Sequence, residues 1–399
     1  MSAISGKSIL MIVENLPVPF DRRVWQEALA LKNAGAHIRI ICPVMKGFHK
    51  RFEVLEGIEI YRHPLPLEAS GAFAYFIEYF AALTWEFYLC VKLFFKKKFH
   101  VIHGCNPPDL IFLVALPFKL FGVKYVFDHH DINPELFQVK FNKKGMLYKA
   151  VTLFERWSFK VADYSIATNE SFKEIAINRA GMDAEKIKVV RSAPPAERFK
   201  IAPGKPEFKK GKSFLVGYLG IIGEQDGLDI LMQTIKVLKD RNVDVHFAII
   251  GGGTELANVK KLAAELAIDN DVDFYGIIYD DGEINDILNA CDVCVNPDVP
   301  SEYNNLITTN KVMEYMSLKK PIVQFDLKEA HYSAGDSSLY ASSDDIQDFA
   351  DKINFLLENL KIRVGMGERG YNRFTKELSW ESEKEKLVDL YEELFASTQ

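Results

Sequence analysis

The sequence predicts an α/β protein built from two Rossmann-like halves, each with a parallel sheet. Three observations carry this. Short β-branched runs alternate with longer amphipathic stretches, the alternation stops once at a stretch rich in Pro, Gly and Lys, and it then restarts in the same rhythm. A chain of 399 residues also exceeds what one hydrophobic core usually supports, so two domains of roughly 150 to 200 residues each are expected.

In the first half, SILMIV, HIRIICPV, HVIHG, KYVFDHH, DYSIATN and KIKVVRS read as strands with amphipathic stretches between several of them. After Phe199, KIAPGKPEFKKGK has no apolar periodicity and reads as a linker, which puts the boundary near residues 200–212. The second half offers FLVGYLG, HFAIIGGG, VDFYG, VCVNP and PIVQF as strands, with LDILMQTIKVLKD and TELANVKKLAAELA as helices. SWESEKEKLVDLYEELF is a charged amphipathic helix starting at Ser379, a residue suited to an N-cap. The expected division is an N-terminal domain over 1–205, a C-terminal domain over 206–378, and a helix over 379–399, for which packing back on the N-terminal domain is one open arrangement. Ligands of open α/β sheets bind outside the carboxyl ends of the strands, so a cleft between the two domains is the expected meeting place of two substrates.

With 48% hydrophobic and 26% charged residues the chain has ample core material, and a disordered protein would be far more polar. The net charge of −6 argues against a general nucleic-acid binder, which needs a surplus of Lys and Arg on one face. Five cysteines are scattered; Cys291 and Cys294 form a CxxC, but no second CxxC or His pair completes a zinc site, so buried thiols and no metal are expected. MSAISGKSILMIVEN lacks the apolar segment and cleavage site of a secretory signal, which predicts a cytoplasmic protein. Glu78, Glu86 and Lys92 interrupt the aromatic run from Ala72 to Phe95, so a membrane-spanning helix is not expected there. Its Trp85, Tyr88 and phenylalanines, followed by Lys96, Lys97 and Lys98, suit a membrane surface, a flavour repeated in KFNKKGMLYKAVTLFERWSFK; the same aromatics also suit a core.

Several constellations could carry chemistry. In TTNKVMEYMSLKKPIVQFD, Lys311 and Glu314 stand three apart, on one face of a helix. Backbone N–H groups with Lys311 would suit phosphate, and Glu314 would suit ribose hydroxyls; an exposed i,i+3 salt bridge is the plain alternative. In YVFDHHDINPEL, Asp128, His129, His130 and Asp131 follow a strand and fall at its carboxyl edge, with a structural cap at Asp131 as the competing use. GGGTE, Gly251 to Glu255, either lets backbone approach a ligand or only turns the chain. NLPVPFDRRVWQEA joins the first strand to the first helix, where Arg22 and Arg23 either bind a phosphate of a ligand or are solvated charges that the helix dipole slightly disfavours. The DNDVD run reads as a helix-to-strand turn and not a metal loop.

Taken in order, PFDRRVWQEALALKNAGAHIRIICP, YVFDHHDINPEL, ATNESFKE, GYLGIIGEQDGLDIL, FAIIGGGTE, ACDVCVNP and SEYNNLITTNKVMEYMSLKKPIV resemble the family-4 retaining glycosyltransferases of the GT-B fold, over nearly the whole chain. The resemblance implies two Rossmann-like domains facing across a cleft. It also implies transfer of a sugar from a nucleotide diphosphate sugar to a saccharide or lipid-linked acceptor, with no metal and no further cofactor, in polysaccharide or glycolipid biosynthesis. Glu314 matches the second glutamate of the family's E-x7-E motif, which holds the donor ribose, whereas Leu306 stands at the place of the first. The Arg and Lys that usually clamp the pyrophosphate align with Ile221 and Asp226, which leaves Lys311 as the candidate clamp. The donor-binding set is then Glu314 with Gly220, Gly252, Asn305, Thr308 and Thr309; His130 and Lys311 are the catalytic candidates, with His130 donating a hydrogen bond to the donor sugar; and Arg22 and Arg23 are acceptor-binding. A non-hydrolysing sugar-nucleotide epimerase and a non-catalytic partner subunit of the same fold are the alternatives. A nicotinamide enzyme is disfavoured, because no GxGxxG follows a first strand in either half.

Overall fold

The computed structural model describes residues 2–65, 72–141 and 145–396, apart from the side chains of 72–77, 140 and 141. The chain forms two compact units, Met1–Arg191 with Glu383–Gln399, and Ser192–Ser382. The stretch 200–212 thus belongs to the second unit and does not behave as a free linker. Lys200 N–H donates to Asn285 Oδ1 at 2.9 Å, Ala202 N–H donates to Asn289 Oδ1 at 3.0 Å, and a Cβ on Gly204 would come within 2.7 Å of Ala290 Cα. These are backbone attachments, which side-chain periodicity does not register.

In the first unit the strands are β1 (Ser8–Val13), β2 (His37–Pro43), β3 (Phe52–Leu55), β4 (Ile58–His63), β5 (Val101–Cys105), β6 (Lys124–His129), β7 (Tyr164–Ala167) and β8 (Ile187–Val189). They lie in the order β3-β4-β2-β1-β5-β6-β7-β8, parallel except for β3, which runs antiparallel to β4. β1 is buried throughout, as a central strand covered on both faces must be. The β3–β4 hairpin has no counterpart among the strands expected from the sequence; Glu56 and Gly57 both have positive φ, as a tight two-residue turn requires. Helix Arg22–Asn33 starts at Asp21, whose carboxylate accepts the Val24 N–H at 3.1 Å.

The second unit holds β9 (Phe214–Leu219), β10 (Val245–Ile250), β11 (Val272–Gly276), β12 (Val293–Asn296), β13 (Ile322–Phe325) and β14 (Ser338–Ala341), all parallel, in the order β11-β10-β9-β12-β13-β14. The DNDVD run is the turn that enters β11. In both sheets the order reverses beside the first strand, between β1 and β5 and between β9 and β12, and such switch points are where open α/β sheets bind ligands. All five cysteines are free and buried. The final helix, Trp380–Ala396, joins the first unit from Glu383 onward, with Tyr391 Oη 2.7 Å from His103 Nδ1 on β5.

The aromatic helix, Ala72–Lys96, divides its large side chains: Phe94 is buried, while Trp85, Tyr88 and Phe95 are exposed and Lys96 to Lys98 follow in solvent. The side chains of 75–77, and those of 140–144 in the second aromatic stretch, lie outside the described residues. Among the described residues no helix is long and apolar enough to cross a membrane.

Candidate functional site

The second unit assembles its polar cluster at the β9/β12 switch point. Helix Asn310–Ser317 buries Lys311 and Glu314 along with its apolar residues, so the two are not the exposed pair that spacing alone allowed. Each is held by a partner from elsewhere. Lys311 Nζ is 2.6 Å from Asp298, just beyond β12, 3.7 Å from Asp226, and 5.0 Å from the Tyr218 ring centroid. Burial would lower the lysine's pKa, but the negative charge of Asp298, with Tyr218 and Asp226 behind it, raises it, so the ammonium stays charged. Asp226, where the resemblance leads one to expect a cation, is a counter-ion of Lys311. Burial and the nearby Asp298 raise its pKa, against the pull of Lys311.

Glu314 accepts a hydrogen bond from Arg198 Nη1, and Arg198 also donates to Asp281 from Nη2 at 3.0 Å and from Nε at 3.3 Å. Burial alone would lower the Arg198 pKa; Glu314 and Asp281 raise it. Arg198, Asp281 and Asp298 were not singled out from the sequence. Their signal is purely spatial, since they lie 116 and 83 residues apart in the first two pairings and 13 in the third.

The glycine-rich loops serve first to pack against each other. Gly251 has φ of +141°, and a Cβ there would lie 1.8 Å from Gly220 O; Ile222 N–H donates to Gly252 O at 3.0 Å. Gly220 sits beside the lysine, its missing Cβ 3.5 Å from Lys311 Cε. Gly252 instead borders Ile277, whose side chain a Cβ would meet at 2.8 Å. Thr309 stands at the N-cap position of helix Asn310–Ser317 with no side-chain cap bond. Asn305 and Thr308 face the segment after β13: Asn305 Oδ1 accepts the Lys328 N–H at 3.1 Å, and Thr308 Oγ1 donates to Glu329 Oε2 at 3.4 Å. Glu329 is buried whereas His331 is exposed.

In the first unit Asp128 on β6 is the hub. Its carboxylate is fully buried and accepts from Arg23 Nη2 at 3.0 Å, with His103 Nε2 at 3.2 Å and His130 Nε2 at 2.5 Å. Burial would raise its pKa; Arg23 and His130, with the hydrogen bond from His103, hold it well below the usual range. Glu27, 3.0 Å from the same guanidinium, goes the other way: burial and the Asp128 charge push its carboxyl up against the pull of Arg23. Within this cluster the charge thus favours Asp128 and the proton Glu27. An ionised Asp128 needs a donor, which assigns the His130 proton to Nε2 and leaves Nδ1 for a ligand. The ring can thus accept at Nδ1 when neutral and donate there only as imidazolium. Asn106 anchors the backbone beneath it, its Oδ1 accepting the N–H groups of His130 at 2.5 Å and Asp131 at 3.1 Å.

Arg23, expected to bind an acceptor, turns inward: its guanidinium is buried on Glu27 and Asp128 and donates to Val190 O at 2.9 Å. Arg22 is exposed. Consecutive helical residues point about 100° apart, which separates the two arginines' roles. Glu27, Cys105, Asp128 and His130 present ligand-type atoms within 4.8 Å of one another, and Arg23 supplies the positive charge there. A further buried group lies past β1, where burial and Glu78 push Glu14 up to about 8, and burial pushes His63 down to about 4.

Comparison with known proteins gives these sites a family. Residues 21–193 match the Glycosyl transferase 4-like domain, and residues 213–359 match Glycosyl transferases group 1. The chain belongs to the group 1, or family-4, glycosyltransferases and has the GT-B fold. It is 26% identical over 222 residues to the 2-deoxystreptamine glucosyltransferase of Streptomyces kanamyceticus, covering 53% of this chain and 57% of that one. It is 23% identical over 262 residues to the capsular polysaccharide biosynthesis glycosyltransferase CapM of Staphylococcus aureus, covering 60% of this chain and 64% of that one. The chain therefore spans less than two thirds of the length of these curated relatives. Sucrose-phosphate synthase from Thermosynechococcus elongatus superimposes with a TM-score of 0.79 at 18% identity, covering 98% of this chain and 100% of that one. WaaG, a glycosyltransferase involved in lipopolysaccharide biosynthesis, gives 0.71 at 14% identity, covering 96% and 99%. At these identities the structural likeness speaks for the fold alone.

Proposed function

We propose that the protein is a retaining glycosyltransferase that moves a sugar from a nucleotide diphosphate sugar to a saccharide or lipid-linked acceptor in polysaccharide or glycolipid assembly. The observation that carries this reading is the burial of Lys311 and Glu314 side by side at the β9/β12 switch point, a charged cation and a carboxylate held ready by Asp298 and Arg198. Lys311 suits the diphosphate and Glu314 the ribose hydroxyls. The place left by Leu306 falls in this reading to Glu329, the buried carboxylate beside Thr308. The relatives are named as transferases, which favours transfer over epimerisation.

In the reaction the bond from the anomeric carbon to the diphosphate breaks, the acceptor oxygen bonds to that carbon on the same face, and the acceptor proton passes to the leaving phosphate oxygen. Lys311 stabilises the developing phosphate charge, and His130, oriented by Asp128, binds a sugar hydroxyl through Nδ1. Exposed Arg22 is the remaining candidate for an acceptor phosphate. Support for acceptance at a membrane comes from exposed Trp85, Tyr88 and Phe95 beside Lys96 to Lys98. Sedimentation with vesicles rich in anionic lipid, and its absence with neutral vesicles, tests that part.

The central experiment is thermal stabilisation by UDP, GDP, ADP and dTDP and their sugars, for wild type and Glu314→Ala, followed by release of nucleoside diphosphate with candidate acceptors. Stabilisation by one base that the variant loses is the expected result. If no nucleotide stabilises the wild type, the donor-site reading fails.

A further inference from the structure

We infer that Arg198 is a positioning residue that sets the ribose selectivity of the donor site, by holding the Glu314 carboxylate in one orientation; this rests on the donor-site reading above. The guanidinium is fixed on three sides. Nε and Nη2 donate to the Asp281 carboxylate, at 3.3 and 3.0 Å; Nη1 donates to Glu314; and Cζ lies over the Phe199 ring, 4.5 Å from its centroid. Both partners of the Glu314 bond are almost fully buried, with side-chain exposures of 13% and 10%.

A guanidinium beside a buried carboxylate favours its ionised form, which is a stronger acceptor for two adjacent hydroxyls than a protonated carboxyl. The geometry also divides the labour within the arginine. Asp281 and Phe199 fix the fork, and the remaining N–H group fixes Glu314. Arg198 touches no substrate in this arrangement; it acts through Glu314.

The test compares affinities, by calorimetry, for UDP, GDP and ADP against their 2′-deoxy forms. For the nucleotide that binds, the wild type should prefer the ribose form by roughly 10- to 100-fold, the range expected of one hydrogen bond to a charged group. Glu314→Gln should abolish that preference, and if it does not, the donor-site reading itself is wrong. Given that result, Arg198→Ala should reduce the preference below about fivefold while leaving 2′-deoxynucleotide affinity within about twofold, and Arg198→Lys should restore part of it. Arg198→Gln replaces Arg198→Ala should the latter fail to fold, with the same loss expected. A full ribose preference in the Arg198 variants, or an equal loss for ribose and deoxyribose forms, overturns the inference.

Discussion

Replacing Arg23 by Met separates a buried counter-ion from a surface substrate contact. The side chain is 9% exposed and bridges Glu27 and Asp128, each at 3.0 Å and each fully buried. At an effective dielectric of ~20, one such pair is worth roughly 5 kcal/mol of gross attraction, which the cost of burying the ions largely offsets. Removing only the cation costs more than the net worth of the pair, about 3–5 kcal/mol, because a buried carboxylate loses its partner. Glu27 is already driven toward its neutral form, and Asp128 keeps His103 and His130, so the low end, about 3 kcal/mol, is expected. For a unit of this size that lowers Tm by roughly 6–12 °C. Tryptophan fluorescence during heating or urea unfolding of the full chain is a suitable assay, since Trp25, Trp85 and Trp157 lie in the first unit and Trp380 in the second. Combining Arg23→Met with Asp128→Asn should destabilise less than the sum of the single changes, by at least about 1 kcal/mol. A Tm shift under about 2 °C together with a raised KM for acceptor would refute the reasoning and return Arg23 to the acceptor site.

His130→Ala should lower kcat by about 10²- to 10³-fold with nucleoside diphosphate affinity unchanged, as measured by transfer kinetics and calorimetry. Glu329→Gln should lower kcat at least about tenfold with Tm within a few degrees of wild type; unchanged turnover would show that Glu329 only braces Thr308. Glu14, pushed up to about 8, keeps its proton in the folded protein where an unfolded carboxyl, near ~4.3, has lost it. Its stabilising contribution is full below about pH 4 and is lost as pH rises to about 8, so Glu14→Gln should flatten the fall in stability over that range. The variant should gain about 2–5 kcal/mol on the wild type at pH 8.5 relative to pH 4, by urea unfolding; parallel curves would place the titration elsewhere.

Much of the architecture is legible in the sequence because it is written in local periods. β-branched runs mark β1, β2 and β9 to β13, and the restart of the rhythm marks the second unit. The β3–β4 hairpin and β14 lie toward sheet edges and carry no long β-branched run, and the attachment of 200–212 is made by backbone groups that leave no pattern. At the candidate site, the three-residue spacing of Lys311 and Glu314 was enough to place them on one helix, as the strand before His130 was enough to place it at a carboxyl edge. What the spacing could not say is that Lys311 is countered by Asp298 and Asp226, that Glu314 belongs to Arg198, and that Arg23 turns inward to Asp128 while Arg22 stays outside. Those assignments depend on desolvation and on partners far away along the chain, and both come into existence only when strands distant in sequence are brought to one edge of a folded sheet.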